Sequence, residues 1–260
     1  MKNNKSDKVN IGGLFFDNVN LDEAINIMEK RIKEYNGKET LLLCVANQDV
    51  INRLKFFNGY GSQKINNGSF LIIPDGYSVI YAAKFLGIPL KERVAGPDLM
   101  EKFIKVASDK CYKNFFLGAK EGVADKMSNI FLKKYPGLKI SGIYSPPFGE
   151  FSKDENEKII NMVNKSSPDI LWVSFGCPKQ EKWILENREK LNVPISVGIG
   201  AAFDFLSGSI KRAPKIVQRL RMEWFYRFLQ EPSRLWRRYF IGGFKFAKII
   251  IKQKYFNKID

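Results

Sequence analysis

Short apolar runs alternate with amphipathic stretches along most of this 260-residue chain, and this alternation constrains the fold more than any other feature. Most of the runs are apolar nearly throughout, as strands are when helices cover both faces of a parallel sheet. The pattern predicts an α/β fold with a mainly parallel, Rossmann-like sheet flanked by helices. The predicted strands are Leu41–Ala46, Ser69–Ile73, Asn114–Gly118, Lys139–Ile143, Asp169–Phe175 and Ile195–Ile199.

Amphipathic helices are predicted between these strands. The first repeats apolar residues at helical spacing from Leu21 to Ile32, and Asn20 is suited to be its N-cap. Further helical patterns lie near residues 76–86, 97–109, 121–134, 153–165 and 179–191. Since no internal repeat or low-complexity linker interrupts this part, residues 1–208 are predicted to form one α/β core.

Positive charge is concentrated in the last fifth of the chain. Residues 209–260 hold 14 Lys and Arg against 3 Asp and Glu, whereas residues 1–208 hold 29 against 24. Two helices are predicted there, Ala213–Leu229 and Ser233–Phe256, because Glu231-Pro232 interrupts the helical pattern. The second helix interleaves aromatic residues with cations. We therefore predict a second unit, a basic, aromatic-rich helical appendage over residues 209–260.

Such a basic and apolar helical segment suits an anionic membrane surface, where rings are buried and amines meet lipid phosphates. The alternative is that its apolar residues pack on the core and its cations face water. A role in nucleic-acid binding is disfavoured, because the segment is too apolar for a solvated basic arm. No uncharged apolar run reaches the roughly 18 residues of a membrane span, and residues 1–10 lack the apolar centre of a signal peptide.

The chain contains no histidine, and its three cysteines, Cys44, Cys111 and Cys177, are far apart. The missing imidazole excludes histidine bases, histidine-dependent triads and metal sites that need this ligand. No carboxylate cluster resembles a magnesium or manganese site, so neither a metal nor a cofactor is predicted. The odd cysteine count does not form a disulfide framework and fits a reducing compartment.

Polar residues follow the first two predicted strands directly. Asp75 stands where parallel sheets bind ligands, so it could be a general base or accept a hydrogen bond from a ligand hydroxyl. It could equally cap the next helix, and its spacing does not separate these interpretations. Asn47 could hold sugar hydroxyls, but helix capping is favoured there.

Three later segments also combine strand ends with helix starts. Phe115–Ala119 precedes a helix whose first amides could meet a phosphate, although it has neither a GxGxxG nor a P-loop pattern. Gly176–Trp183 presents Lys179 and Gln180 to the same crevice, whereas Cys177 lacks a partner base. Small residues in Gly198–Asp204 allow a flat ligand to approach, and Asp204 could bind a base or ribose or cap a helix.

Arginines are candidate ligands for a diphosphate, because the guanidinium group matches phosphate oxygens bidentately. Taken singly, each arginine is more often a surface charge. The candidates are Arg93, Arg212, Arg227, Arg234 and Arg237.

The order and spacing of six motifs are specific, although each motif alone is modest. They are Pro74–Gly76, Glu92–Met100, Phe116–Ala119, Gly176–Trp183, Gly198–Asp204, and Lys211–Pro214 continuing to Glu231–Arg234. Together they resemble the WecG/TagA/CpsF family of glycosyltransferases over almost the whole chain, from about Ile11 to Arg238.

This resemblance implies an inverting, metal-independent transfer of a sugar from a UDP-sugar to an undecaprenyl-diphosphate-linked N-acetylglucosamine-type acceptor, in teichoic acid or surface polysaccharide synthesis. Relatives use N-acetylmannosamine or its uronic acid. Val45 replaces a threonine of several relatives, so another N-acetylhexosamine or a plain hexose stays open as the donor sugar. The appendage would contact the cytoplasmic face of the membrane and favour a monomer, with self-association away from the membrane.

The resemblance also implies roles for single residues. Asp75 would be the general base, Arg93 would lie near the leaving diphosphate, and Gln180 would contact the substrate. Asn47, Lys179 and Arg212 are further substrate-binding candidates. Asp204 and the Ile199 backbone would hold uracil, and Arg227, Arg234 and Arg237 would bind phosphates. Two other classes remain: another nucleotide-binding enzyme, such as an oxidoreductase, and a non-catalytic scaffold on membrane or nucleic acid.

Overall fold

The computed structural model describes residues 8–53 and 70–256 of the chain. Within these ranges, six parallel strands form a sheet flanked by helices, and a two-stranded antiparallel hairpin lies beside it. The predicted α/β fold with a mainly parallel sheet is confirmed. Ser69 of the second predicted strand, the first seven residues and residues 257–260 of the predicted appendage lie outside the described residues.

The sheet has the strand order β4-β3-β8-β7-β5-β6, and all five neighbouring pairs are parallel. Its strands, numbered in chain order after the hairpin, are β3 (Leu41–Ala46), β4 (Phe70–Pro74), β5 (Lys113–Gly118), β6 (Lys139–Tyr144), β7 (Ile170–Ser174) and β8 (Ile195–Gly198). The hairpin consists of β1 (Lys8–Ile11) and β2 (Leu14–Asp17). The chain leaves β5 towards β6 and leaves β7 towards β8, in opposite directions. A ligand crevice is expected at such a switch point.

The helices, numbered in the same way, connect the strands and continue to the C-terminus. They are α1 (Leu21–Lys33), α2 (Gln48–Asn52), α3 (Tyr77–Leu86), α4 (Gly96–Lys110), α5 (Val123–Lys134), α6 (Lys153–Ser166), α7 (Lys179–Asn187), α8 (Ala202–Leu206), α9 (Lys215–Arg219), α10 (Glu223–Gln230), α11 (Pro232–Trp236), a π-helical turn (Arg237–Ile241) and α12 (Gly242–Phe256). Asn20 caps α1 in a capping box with Glu23, as its position predicts.

Two apolar cores lie on opposite faces of the sheet. One joins the hairpin, α3, α6, α7 and α12 to the sheet, and the other joins α1, α4, α5 and α8 to it. Trp172 of β7 is fully buried in the second core, where its ring contacts Phe103 edge-on and its Nε1 donates to Asn114 Oδ1 at 3.0 Å. The strands are apolar throughout because both faces are covered.

The predicted single helix Ala213–Leu229 is wrong, because α9 and α10 are separate helices. Arg221 between them has a left-handed backbone with φ of 63°. Its Nη1 donates to Tyr81 Oη at 3.0 Å, and its guanidinium lies 5.2 Å from the centre of the Tyr77 ring. These contacts with α3 hold the chain at the turn where the helical pattern alone would continue.

Helix α12 packs against the hairpin, α2 and α3. Phe246 and Ile250 are buried in the first core, and Gln253 fixes the helix to the hairpin. The Gln253 side chain accepts from Gly12 N at 2.8 Å and donates to Asn10 O at 2.9 Å. Part of the apolar residues of the C-terminal segment therefore pack on the core, which was the alternative to membrane contact. Among the described residues, no helix is long and apolar enough to cross a bilayer.

The docking of α12 leads to a stability prediction. Phe246→Ala should lower the free energy of unfolding by about 3 kcal/mol, because it removes a buried ring and leaves a cavity. Phe244→Ala, two residues earlier on the same helix, should change it by less than about 0.5 kcal/mol, because the Phe244 side chain is 79% exposed. Urea unfolding of both variants measures the difference. Equal effects would mean that α12 is not docked in this way.

Candidate functional site

A cleft of about 2140 Å³ opens over the carboxyl ends of the strands. Gly118 at the end of β5 and Ser174 at the end of β7 lie in its floor, at the switch point of the sheet. Nine of the eleven predicted site residues line this cleft, and Arg93 and Arg212 do not. The nine are Asn47, Asp75, Lys179, Gln180, Ile199, Asp204, Arg227, Arg234 and Arg237.

Close backbone packing shapes the floor. Ala119 N donates to Ser174 O at 2.9 Å, and a Cβ on Gly118 would stand 2.7 Å from the same oxygen. Gly118 also has φ of 107°, so a side chain there would be both strained and obstructed. Ser174 Oγ donates to Gly200 O at 2.7 Å, which ties the turn after β8 to the end of β7.

Asp75 directly follows β4, and its side chain is not a helix cap. Gly76 is the N-cap of α3, and no side chain bonds to that helix start. Asp75 N donates to Ala46 O at 2.8 Å, which fixes the backbone while the carboxylate faces the cleft. Burial raises the pKa of Asp75, nearby Arg93 opposes this rise, and Glu223 adds to it. A raised pKa makes the carboxylate a stronger base.

A row of alternating charges runs from Asp75 away from the cleft. Arg93 Nε donates to Asp75 Oδ1 at 3.3 Å, and Arg93 Nη2 donates to Glu223 Oε2 at 2.7 Å. Glu223 also accepts from Arg212 Nε at 3.2 Å, and Arg212 forms a bidentate pair with Asp98. Both predicted arginines that do not line the cleft are therefore fixed in this row.

The side chains of Asn47 and Gln180 form hydrogen bonds within the protein. Asn47 caps α2, since its Oδ1 accepts from Asp49 N at 2.9 Å. Gln180 is only 3% exposed, its Oε1 accepts from Gly200 N at 3.0 Å, and its Nε2 donates to Glu181 Oε1 at 2.7 Å. The Gln180 amide thus supports the turn at Gly200, beneath the cleft surface.

Glu181 lies buried next to Gln180, at 1% exposure. Its Oε2 has no hydrogen-bond partner among the described residues. Burial raises the pKa of Glu181, and the hydrogen bond from Gln180 opposes this rise. Cys44 and Cys177 are nearby, and burial raises the pKa of both thiols, so they stay protonated at neutral pH.

Asp204 and Arg227 lie at the side of the cleft that the C-terminal segment forms. Burial raises the pKa of Asp204, while Arg227 and Arg234 oppose the rise. Arg227 covers the Phe205 ring at 5.1 Å, and its buried Nε has no hydrogen-bond partner among the described residues. Burial lowers the pKa of Arg227. A buried guanidinium with an unused donor is suited to bind an anion.

Lys179 anchors a loop at the rim of the cleft. Its Nζ donates to Gly149 O and lies 3.6 Å from the centre of the Phe151 ring and 5.2 Å from that of Phe175. Phe148, near the middle of this loop, is fully exposed and lines the cleft. The Lys179 ammonium is thus committed to the loop, and Phe148 offers an apolar ring to a ligand.

Two features of the site were missed from the sequence. The Phe148 loop follows a strand end, but nothing in Ser-Pro-Pro-Phe-Gly indicates which way its ring faces. Glu223 had a usable signal, because it is the only acid between residues 209 and 230, among six cations. Its partner Arg93 lies 130 positions away, so no local pattern could connect them.

A parallel α/β sheet whose strand-end cleft is lined by a partly buried aspartate and several arginines is typical of an enzyme that binds anionic ligands. The family model for the glycosyl transferase WecG/TagA/CpsF family matches residues 9–260. The chain therefore belongs to this family of glycosyl transferases. Among the described residues, no group of three or more His, Cys, Asp or Glu side chains could hold a metal ion.

The chain is similar to three relatives that each carry the name N-acetylglucosaminyldiphosphoundecaprenol N-acetyl-beta-D-mannosaminyltransferase. It is 37% identical to that of Bacillus spizizenii over 167 residues, 64% of this chain and 63% of the relative. It is 32% identical to that of Bacillus subtilis over 188 residues, 72% and 71% of the two chains. It is 29% identical to that of Staphylococcus aureus over 233 residues, 88% and 87%. The first alignment thus spans less than two thirds of the relative's length.

The buried Glu181 leads to a pH prediction. Its pKa in the folded protein is raised above the ordinary value of about 4.5, so the folded state holds its proton more tightly than the unfolded state. Its contribution to stability therefore falls as the pH rises from 4.5 through the folded pKa. Glu181→Gln should stabilise the protein relative to wild type more at pH 8 than at pH 5.

Urea unfolding at both pH values tests this. Glu186→Gln is the matched control, because Glu186 lies on the same helix with its side chain 44% exposed. Each variant is compared with wild type at the same pH, so the pH-dependent contributions of Asp75 and Asp204 to the free energy of unfolding cancel. A stability difference between Glu181→Gln and wild type that is constant with pH would contradict the assignment.

Proposed function

We propose that this enzyme transfers a sugar from a UDP-sugar to a polyprenyl-diphosphate-linked N-acetylglucosamine acceptor, with inversion and without a metal ion. The observation that carries the proposal is the Asp75 carboxylate, raised in pKa and facing a strand-end cleft that Arg227 also lines, in a chain of this family. The Arg227 Nε is buried and has no hydrogen-bond partner within the described part of the chain. The names of the relatives support this acceptor and favour N-acetylmannosamine as the donor sugar. The product would enter teichoic acid or another surface polysaccharide.

In this mechanism, Asp75 accepts the proton of the acceptor hydroxyl as that oxygen attacks the anomeric carbon of the donor. The bond between this carbon and the UDP oxygen breaks on the opposite side, so a single displacement inverts the configuration. Burial raises the pKa of Asp75, which makes proton transfer more favourable than it would be to a free aspartate. Arg93 keeps the carboxylate oriented through its Nε.

Arginines of the C-terminal segment would stabilise the leaving diphosphate in place of a metal. Arg227 is the strongest candidate, because its buried Nε has no hydrogen-bond partner in residues 8–53 and 70–256 and could donate to a phosphate oxygen. Arg234 and Arg237 line the same cleft. Charge developing on UDP would be stabilised by fixed guanidinium groups in a partly dry site, where such interactions are strong.

The turn between Ile199 and Asp204 is proposed to hold the uracil and ribose. Gln180 fixes this turn through Gly200 N, and Ser174 fixes it through Gly200 O. Asp204 accepts from a ribose or base donor in this arrangement. Gln180 would then act on the nucleotide through the turn that it supports, and Asn47 through the position of α2.

Losing the Asp75 carboxylate should slow turnover strongly and leave nucleotide binding intact. We expect Asp75→Asn to lower the rate of UDP release by about 10²- to 10⁴-fold, the range for general base catalysis. The measurement is UDP release from a panel of UDP-sugars, with a short-chain lipid-diphosphate-N-acetylglucosamine acceptor. UDP affinity, measured by calorimetry with NAD as a comparison ligand, should stay within about threefold of wild type.

Asp109→Asn is the control, since this aspartate is exposed near the end of α4 and does not line the cleft. Full activity of Asp75→Asn would contradict the base assignment. Donor-dependent release that needs no acceptor would contradict the transfer, and binding of NAD in preference to UDP would indicate another class of nucleotide enzyme.

We also propose that residues 209–260 act as an appendage that rests on the cytoplasmic face of the membrane, with the enzyme as a monomer there and self-associating away from it. The support is an exposed apolar surface within the described part of this segment, interleaved with cations. It comprises Ile216, Leu220, Trp224, Phe225, Leu229, Trp236, Phe240, Ile241 and Phe244. Aromatic rings and aliphatic side chains would enter the lipid boundary, and Lys and Arg would meet phosphates.

A charge-matched pair of variants tests this surface. Ile216→Glu with Leu220→Glu should reduce binding to anionic liposomes at about 0.15 M salt by tenfold or more, because two apolar anchors are lost. Both residues are 69% exposed. Ile130→Glu with Leu132→Glu makes the same charge change at exposed residues of α5 and should bind like wild type. The membrane proposal would be contradicted if both double variants floated equally with the liposomes. It would also be contradicted if the wild-type protein shifted the mobility of a labelled DNA duplex.

A further inference from the structure

We propose that Glu223 is a positioning residue for the reaction, which holds the Arg93 guanidinium beside Asp75 and so links the catalytic base to the C-terminal segment. This inference rests on the proposed role of Asp75 as the base. It concerns a carboxylate that does not line the cleft and that acts on Asp75 by holding Arg93 and by its own charge.

Arg93 is held at three points. Its Nη2 donates to Glu223 at 2.7 Å, its Nε donates to Asp75 at 3.3 Å, and the Tyr77 ring lies 5.1 Å from its guanidinium carbon. The contact with Glu223 is the shorter of the two ion pairs, and the Arg93 side chain is only 14% exposed. Glu223 therefore decides where the guanidinium lies relative to the Asp75 carboxylate.

Glu223 is itself fixed from the other side. Arg212 Nε donates to Glu223 Oε1 at 3.2 Å, and Arg212 Nη2 donates to Asp98 Oδ2 at 2.7 Å. Asp98 lies in the first turn of α4 in the core, whereas Arg212 and Glu223 belong to the C-terminal segment. The row of charges thus passes from the core to this segment and back, so the position of α10 is transmitted to Asp75.

The charges explain why a second carboxylate beside Arg93 affects Asp75. Without Glu223, Arg93 would pair with Asp75 alone, and a full ion pair would stabilise the charged carboxylate and weaken it as a base. Glu223 shares the guanidinium and adds negative charge near Asp75, which raises the pKa of Asp75. Other ionisable groups near Asp75 and Glu223 are Arg212, which donates to Glu223, Tyr77 on α3 and Tyr239 on the π-helical turn.

The test is the pH dependence of acceptor-dependent UDP release by wild type and Glu223→Gln. Glutamine keeps the size and one acceptor oxygen but removes the charge. The acid limb of the kcat/KM profile should move to lower pH by about 0.5–1 unit. The substitution removes the negative charge of Glu223 and its share of Arg93, and both raise the pKa of Asp75 in the wild type. On the alkaline plateau kcat should fall about tenfold, while the KM for the donor changes less than about threefold.

Glu157→Gln is the matched control, because it removes one negative charge from an exposed position on α6. Its profile should superimpose on that of wild type. Glu223→Ala serves as the second variant, which should shift the limb in the same direction with a larger loss of kcat. Thermal unfolding and UDP affinity are measured for each, so that a folding defect is recognised separately.

Asp75→Asn, measured in the same series, distinguishes a failure of the positioning role of Glu223 from a failure of the proposed function. If Asp75→Asn is inactive and the acid limb is unmoved in both Glu223 variants, the positioning role is overturned and the base assignment stands. An equal loss through KM alone would also overturn it, because Glu223 would then act on substrate binding. If Asp75→Asn is active, the proposed function itself fails.

Discussion

The ion pair between Asp75 and Arg93 lies where the parallel sheet, the cleft and the C-terminal segment meet. The sheet places Asp75 at the end of β4 through its bond to Ala46 O, and Glu223 places Arg93 from the C-terminal side. Neither contact alone would define the site, because a guanidinium bound only to Asp75 would neutralise it. In the proposed mechanism, sharing Arg93 between two carboxylates keeps Asp75 both fixed in position and basic.

Such a site is a local source of instability that the two apolar cores must offset. Burial raises the pKa of Asp75, Glu181 and Asp204, so each is held in the folded state at some cost when ionised. Arg227 has a desolvated Nε without a described partner. An anion in the cleft that accepts from the Arg227 Nε would relieve the cost at this group, and the free energy of binding would include this relief. Groups destabilised without ligand and placed at a strand-end cleft are typical of a binding site.

Most of the fold followed from the sequence because burial on both faces leaves a direct trace, a run of apolar residues. The site was predictable at the level of position, since parallel strands bring their carboxyl ends to one edge. The direction in which each side chain points was not predictable. Asp75 and Asn47 both follow strands, yet the Asn47 side chain caps α2, whereas Gly76 is the N-cap of α3 and the Asp75 side chain pairs with Arg93 instead. Gln180 faces the Gly200 turn, and the helix break at Arg221 depends on Tyr81, 140 positions away.

The C-terminal segment shows why composition alone could not divide packing from exposure. Phe244 and Phe246 are two residues apart on α12, but one is 79% exposed and the other 6%. One side of the segment is thus committed to the core, through α12 and the pair of Arg212 with Asp98, and another side presents apolar residues outward. If the exposed side meets a membrane, any strain on α10 reaches Arg93 through Glu223. The segment proposed to bring the enzyme to a lipid-linked acceptor thus also carries Glu223, the residue proposed to position Asp75.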